Sequence, residues 1–334
     1  MNAAALVLLA MLSGFQATPA RTHMVIVVGI GGSPEYTEEF HRLAVRLAES
    51  AVERHGLSPT DVYCLAERPE LAEVPGVDRS TRENVEQLFM QLGTTAGPDD
   101  RILIVLIGHG SYDESESRFN LPGPDLTAAG LAVALDAFGE RQVALVNCAS
   151  SSGGFIQGLS RPGRVVVTST RSGRERNETI FARYFVRAFE DDGSDLDKDG
   201  RVSLTEAFQY ARRMTADDYE QGKRMLTEHA LLDDNGDGEG SGELDLEQGD
   251  GLVARAFFLG VDPRALAAAD SVRATDPMLA GLYEKRLDLQ NRIEALRARK
   301  NAMDPEAYER ELEQLLLELA RTNQEIRKRG GGDA

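Results

Sequence analysis

The chain has 334 residues, enough for one large domain with additions or for two modest ones. With 37 basic against 55 acidic side chains its formal net charge is −18, which argues against nucleic acid and anionic membrane surfaces as partners, because both need a basic footprint. Apolar residues make up 42 %, enough for a sizeable core, and the two cysteines, Cys64 and Cys148, are too few for a disulfide framework.

Taken in chain order, Ala3 to Phe15 are nearly all apolar and are followed by Gln16-Ala17-Thr18-Pro19-Ala20. This reads as a signal peptide over 1–20 with a cut after Ala20, although no Lys or Arg precedes the apolar run. The protein is therefore expected to be exported, periplasmic or secreted, with no membrane span once the signal is removed; the run is short for a bilayer and no later segment resembles one. His23 to Val28 is a continuous β-branched run, the pattern of a strand buried on both faces. Gly29 to Pro34 ends it, and Glu35 to His55 then carries Phe40, Leu43, Leu47 and Val52 on one helical stripe that Gly56 closes. Asp61 to Leu65 is a short strand-like run in which Cys64 reads as a small apolar residue. Ser80-Thr81-Arg82-Glu83 forms a capping box before a helix with Val85, Leu88, Phe89 and Leu92.

Further buried strands are expected at Arg101 to Ile107, Gln142 to Val146 and Arg164 to Thr168, with helices at Leu126 to Phe138 and Thr179 to Phe189. Alternation of this kind implies right-handed crossovers and a mostly parallel sheet covered by helices on both faces, a three-layer α/β fold. Chemistry in such sheets collects beyond the carboxyl ends of the strands. Two motifs sit there: Gly108-His109-Gly110-Ser111 and Asn147-Cys148-Ala149-Ser150. Neighbouring parallel strands lie about 5 Å apart, the separation a nucleophile and its base require. A thiolate at Cys148 attacks a carbonyl, and His109 supports it and protonates the leaving group. The N–H groups of Gly110 and Cys148 are the expected oxyanion donors, and the small residues Ala149 to Gly154, Ser150 among them, keep room for a polypeptide. Each motif alone is as readily a turn or a small core residue; in register on successive strands they point to catalysis.

These motifs resemble the legumain-like branch of the caspase-type (clan CD) cysteine peptidases, in a bacterial-type form, over roughly His23 to Phe189. The resemblance implies a caspase-like fold over 22–275, hydrolysis of peptide bonds, sometimes transpeptidation, a peptide or protein substrate, and no cofactor for catalysis. The chain departs from the family in two places. Val146-Asn147 stands where legumains have Glu-Ala and caspases Gln-Ala, so the family's specificity pocket does not carry over. Gly29 to Ser33 lacks the Asn with which legumains orient the histidine, leaving a third group absent or supplied by backbone. Ser169 to Glu178, with Arg171, Arg174, Glu175 and Glu178, is the expected pocket wall by analogy.

Asp195 to Glu206 matches an EF-hand-like loop, with Asp195, Asp197, Asp199, Arg201 (through its carbonyl), Ser203 and Glu206 at the ligand positions and Gly200 at the sharp turn, so structural Ca²⁺ is expected. Asp233, Asn235 and Asp237 begin a similar loop, but its twelfth position is Leu244; a second cation there competes with a solvated acidic turn. Gly29-Ile30-Gly31-Gly32 lacks the third glycine and the acid of a dinucleotide site. Over 277–329, Leu279, Leu282, Leu289, Ile293 and Leu296, then Tyr308, Leu312, Leu315, Leu319, Thr322 and Ile326, follow coiled-coil spacing. The pattern breaks at Asn301 to Pro305, which predicts an antiparallel helical hairpin, paired within the chain or with a coiled-coil partner or second copy; 330–334 is a tail. The competing reading of the whole is a catalytically inactive caspase-like scaffold with a Ca²⁺ loop and a coiled-coil arm.

Overall fold

The computed structural model describes residues 20–71, 77–198, 200–246, 249–260, 276–298 and 303–329. Residues 1–19 of the expected signal segment, Asp199 and the tail lie outside the described residues. The apolar runs become strands β1 (Thr22–Val28), β2 (Val62–Ala66), β3 (Asp78–Arg79), β4 (Arg101–Ile107), β5 (Gly110–Tyr112), β6 (Ser117–Phe119), β7 (Leu126–Thr127), β8 (Gln142–Asn147), β9 (Arg164–Thr168) and β10 (Leu231–Asp233). One sheet runs β10-β9-β8-β4-β1-β2-β3. Every pair in it is parallel except β10 with β9.

All of β4 is buried, as are the last six residues of β1, because helices cover both faces. On one face α1 (Pro34–Glu53), α5 (Phe181–Ala188) and α6 (Leu204–Gln221) pack Phe40, Leu47, Phe181, Phe185 and Phe208 against Ile26, Val105 and Val146. On the other, α2 (Arg82–Thr95), α3 (Ala128–Leu135) and α4 (Ile156–Leu159) pack Val85, Phe89, Leu131 and Leu159 against Val27, Ile104 and Leu145. Alternate residues of each strand thus serve opposite cores. Each wholly buried Phe or Leu contributes roughly 1.5–3 kcal/mol by leaving water. The chain is a mixed α/β protein with a mostly parallel central sheet.

Several boundaries differ from the sequence reading for physical reasons. Thr81, not Ser80, caps α2 by accepting from Asn84 N–H, while Ser80 is buried and donates to the Val28 carbonyl. Leu126 and Thr127 pair with β6 as a strand, and the helix starts at Ala128. The small antiparallel sheet β5-β6-β7 follows His109 directly and was not anticipated. In α1 it is Ala51 rather than Val52 that is buried.

After α7 (Leu252–Arg255) come α8 (Pro277–Ala298) and α9 (Pro305–Arg329). Leu289, Ile293, Leu296 and Leu315 are buried between these two helices. Asp276 at the start of α8 pairs with Arg329 at the end of α9, so the helices run antiparallel. Lys285 and Glu318 pair at 2.8 Å. The helix pair is not a free arm, because the Asn291 side-chain oxygen accepts from Arg201 at 2.7 Å and Asp288 accepts from the Ala20 N–H at 3.2 Å. No helix among the described residues is long and apolar enough to cross a membrane.

Candidate active site

Leu106 pairs with Asn147 in register, so Cys148 leaves β8 beside Ile107 and His109 follows two residues further along the neighbouring chain. Both residues stand at the carboxyl edge of adjacent strands. They also serve one face. Cys148 belongs to the core cluster that contains Phe40, and the His109 ring meets Tyr36 and Phe40 of α1 edge-on at 4.9 and 5.0 Å.

Burial lowers the His109 pKa from its ordinary value, and nearby Glu178 and the Gly31 backbone partly oppose this. The imidazole is neutral at pH 7, the state a general base needs. Tyr36 carries a second link, its hydroxyl donating to the Glu178 carboxylate. Cys148 is 2 % exposed, and burial, followed by the charge of Glu228, drives its pKa upward, so at rest the group is a thiol.

The expected oxyanion donors are engaged within the fold. Gly110 N–H donates to Ser150 Oγ at 3.2 Å, and Ser150 Oγ donates back to the Gly110 carbonyl at 3.0 Å. Cys148 N–H donates to the Leu106 carbonyl at 3.0 Å, because the β4–β8 ladder runs one residue past the strand. Gly110 N–H thus has an acceptor within the fold, and the Ser150 hydroxyl bonds both ends of Gly110. Only glycine fits at 110: a Cβ there would lie 2.1 Å from the Ser150 carbonyl oxygen.

The chain after Cys148 is held by groups that local sequence patterns did not rank. Ser151 has φ +58°, a left-handed backbone that costs a non-glycine residue about 1 kcal/mol, and its N–H donates to the Glu175 carbonyl at 2.8 Å. The Glu175 carboxylate accepts from Arg171 N–H at 3.0 Å and meets His229 Nδ1 at 2.6 Å. Of the acids in the expected pocket wall, Glu175 is framework and Glu178 faces His109. Thr179 Oγ1 donates to the Cys148 carbonyl at 2.7 Å.

Glu228, 3 % exposed, accepts from the N–H groups of Ile180 and Phe181 at the start of α5. Burial pushes its pKa up from 4.5 to about 7, against those bonds. The folded state thus holds a proton between these pH values that the unfolded chain has lost, so Glu228 makes stability fall as pH rises through that window. Glu228→Gln keeps an acceptor oxygen without the charge. It is expected to raise stability at pH 8 by up to the order of 3 kcal/mol relative to wild type, with little difference below pH 4.5. Urea midpoints of both proteins at pH 4 and pH 8 check this; parallel pH dependences would refute it.

In the first acidic loop, Asp195, Asp197 and Glu206 each offer an oxygen within 4.8 Å of the others, the only such group of three among the described residues. Gly200, at φ +90°, donates its N–H to Asp195 Oδ2 at 2.9 Å and makes the sharp turn. Ser203 and Glu206 form the capping box of α6, and Glu206 also accepts from Leu196 and Asp197 N–H. The Arg201 side chain turns away to stack 3.8 Å over Phe258. In the second loop Asp233 is wholly buried at the end of β10 and its Oδ1 accepts from Gly236 N–H at 3.1 Å, while Asn235 and Asp237 are exposed and hydrogen-bond each other at 3.0 Å.

A cavity of about 340 Å³ lies at the opposite edge of the sheet, lined by Arg21, Leu57, Arg101, Arg141, Asp288 and Leu296. It is separated from His109 by the length of β4, roughly 20 Å at the rise of an extended strand, and takes no part in the chemistry considered for the dyad.

No protein-family model and no curated protein matches the chain. Among solved structures it is similar to a secreted C11 cysteine protease from Bacteroides thetaiotaomicron, iotapain, at 14 % identity and a TM-score of 0.37, over 65 % of this chain and 67 % of that one. A likeness at that level carries no inference about this chain's chemistry.

Proposed function

We propose that the protein is an exported, caspase-like cysteine endopeptidase of legumain-like type whose dyad is His109 and Cys148. What supports this reading above all is an imidazole whose burial favours the neutral form, on the same sheet edge and the same face as a thiol. His109 takes the Sγ proton as sulfur attacks the scissile carbonyl carbon. The proton passes to the leaving amine, the C–N bond breaks, and a thioester remains on Cys148. Water, deprotonated by His109, then releases the acid and restores the thiol. Gly110 N–H exchanges its Ser150 partner for the oxyanion during the first step, since a neutral hydroxyl is the weaker acceptor. The core over 22–275 carries this chemistry and the helix pair over 277–329 packs against it.

Digestion of a peptide library by the full chain and by Cys148→Ala tests the proposal. Cleavage by the first alone is expected; equal cleavage, or none by either, contradicts it. None by either, together with a partner that binds both proteins alike, supports the inactive scaffold, a reading favoured by the 2 % exposure of Cys148 and by its engaged N–H.

Ca²⁺ is proposed as a structural ion held by Asp195, Asp197, Asp199 and Glu206, with the Arg201 carbonyl and Ser203 completing the set; it takes no part in catalysis. An ion at 100 times its Kd stabilises by about 2.7 kcal/mol, so Ca²⁺ is expected to raise Tm and chelator to lower it, and Glu206→Ala to abolish the response. A Tm unmoved by Ca²⁺ at matched ionic strength rejects this part alone.

A further inference from the structure

The loop after β10 lacks an acid at its twelfth position, which is Leu244, yet the rest of it is built like a cation loop. Counting from Asp233, Asn235 and Asp237 fall at three and five, and Ser241 at nine. Gly238 falls at six with φ +79°, as Gly200 does in the first loop with φ +90°. Gly236 N–H donates to Asp233 Oδ1 at 3.1 Å, Asp237 N–H to Asn235 Oδ1 at 2.8 Å, and Glu239 N–H to Asp237 Oδ1 at 2.7 Å. These bonds curl the chain, and Ser241 returns beside the start of the loop, exchanging backbone hydrogen bonds with Leu232 at 2.8 and 3.0 Å.

An acid from further along the chain closes the ring. Asp250 is 2 % exposed, and its Oδ1 accepts from Asp234 N–H at 3.1 Å. In the first loop the twelfth residue, Glu206, accepts from Leu196 N–H at 2.8 Å. Asp234 and Leu196 are each the second residue of their loop, so Asp250 stands to this loop as Glu206 stands to the other. Asp233 lacks one partner. It is wholly buried, Gly236 N–H turns its carboxylate toward the loop interior, and its Oδ2 is buried with no hydrogen bond. A bare carboxylate oxygen, with a second buried carboxylate held on the next residue's N–H, is costly without a cation.

We propose that Asp233 and Asp250 hold a second Ca²⁺, Asp250 replacing the missing twelfth ligand and the side-chain oxygens of Asn235 and Asp237 adding to the set. A loop of mixed carboxylate and amide oxygens suits Ca²⁺ better than Mg²⁺, which demands a near-ideal octahedron. Asp233, Asp237 and Asp250 bring fewer charges than Asp195, Asp197, Asp199 and Glu206, so this is the weaker site, with a Kd of about 10⁻⁴–10⁻³ M. The ion fastens the edge strand β10 to the chain that enters α7. The site depends neither on the dyad nor on occupancy of the first loop.

Equilibrium dialysis of the full chain against radioactive Ca²⁺, at matched ionic strength, counts the bound ions. Wild type is expected to bind one ion per loop. Asp250→Asn and Asp233→Asn each keep an acceptor oxygen for the backbone N–H, and each is expected to weaken the lower-affinity site at least about 10-fold, with no further ion lost in the double variant. Glu206→Ala is expected to keep that site and lose the other. Unchanged binding in folded Asp250→Asn and Asp233→Asn overturns the inference, and so does a folded Glu206→Ala that binds no Ca²⁺. If wild type binds a single ion, its loss in Asp250→Asn but not in Glu206→Ala upholds this site and rejects the first, and the reverse pattern overturns this one.

Discussion

Replacing His109 with alanine is expected to slow the reaction of Cys148 with a peptidyl acyloxymethyl ketone by about 10²- to 10⁴-fold, the usual contribution of a placed general base. The size follows from the state of the thiol. Burial and the charge of Glu228 hold Cys148 protonated, so without a proton acceptor almost no thiolate forms at neutral pH. The fold should survive the change, since His109 is only partly buried and its contacts with Tyr36 and Phe40 lie at the edge of the core. Cys64 serves as the internal control. It too is raised by burial, to about 12, but no His109-dependent reactivity is expected of it.

Gly110→Ala is expected to destabilise the protein by at least about 2 kcal/mol and to reduce peptide cleavage by about 10²-fold. The new methyl would meet the Ser150 carbonyl at 2.1 Å and the Arg118 carbonyl at 3.0 Å. Both are backbone atoms, so neither can rotate aside. The segment after Cys148 must move, and with it the Ser150 hydroxyl that bonds both ends of Gly110. A matched control is Gly281→Ala on α8, where a methyl meets nothing within 4 Å. That change should be neutral or stabilise by up to about 1 kcal/mol, because alanine favours helix. Chemical denaturation of the two variants side by side separates a steric effect at 110 from a general effect of losing glycine.

The parts of this molecule that could be read from its sequence are those governed by local pattern. β1, β4, β8 and β9 are apolar, β-branched runs too short for a helix and bounded by turn residues, the pattern of a buried strand. His109 and Cys148 were visible because each directly follows one of these runs. The break at Asn301 to Pro305 is also local: Asp304, next to the proline that opens α9, accepts from Ala307 N–H at 3.0 Å. What the sequence concealed depends on contacts between distant residues. β5 to β7 are two or three residues long and carry no periodicity. Thr81 rather than Ser80 caps α2 because the Val28 carbonyl claims the serine. Glu228 is an unremarkable acid until the fold buries it at the start of α5, where it accepts from Ile180 and Phe181 N–H. Asp233 fits a cation-loop spacing, and its burial at the end of β10 comes from strand pairing that the spacing does not show.

The most direct test is to treat the folded full chain with the peptidyl acyloxymethyl ketone at pH 7 and map the adduct by mass spectrometry, in wild type and in His109→Ala. The dyad predicts one adduct, on Cys148, formed in wild type and slowed at least about 100-fold by the substitution. An adduct on Cys64, or one on Cys148 that forms equally fast without His109, would contradict it.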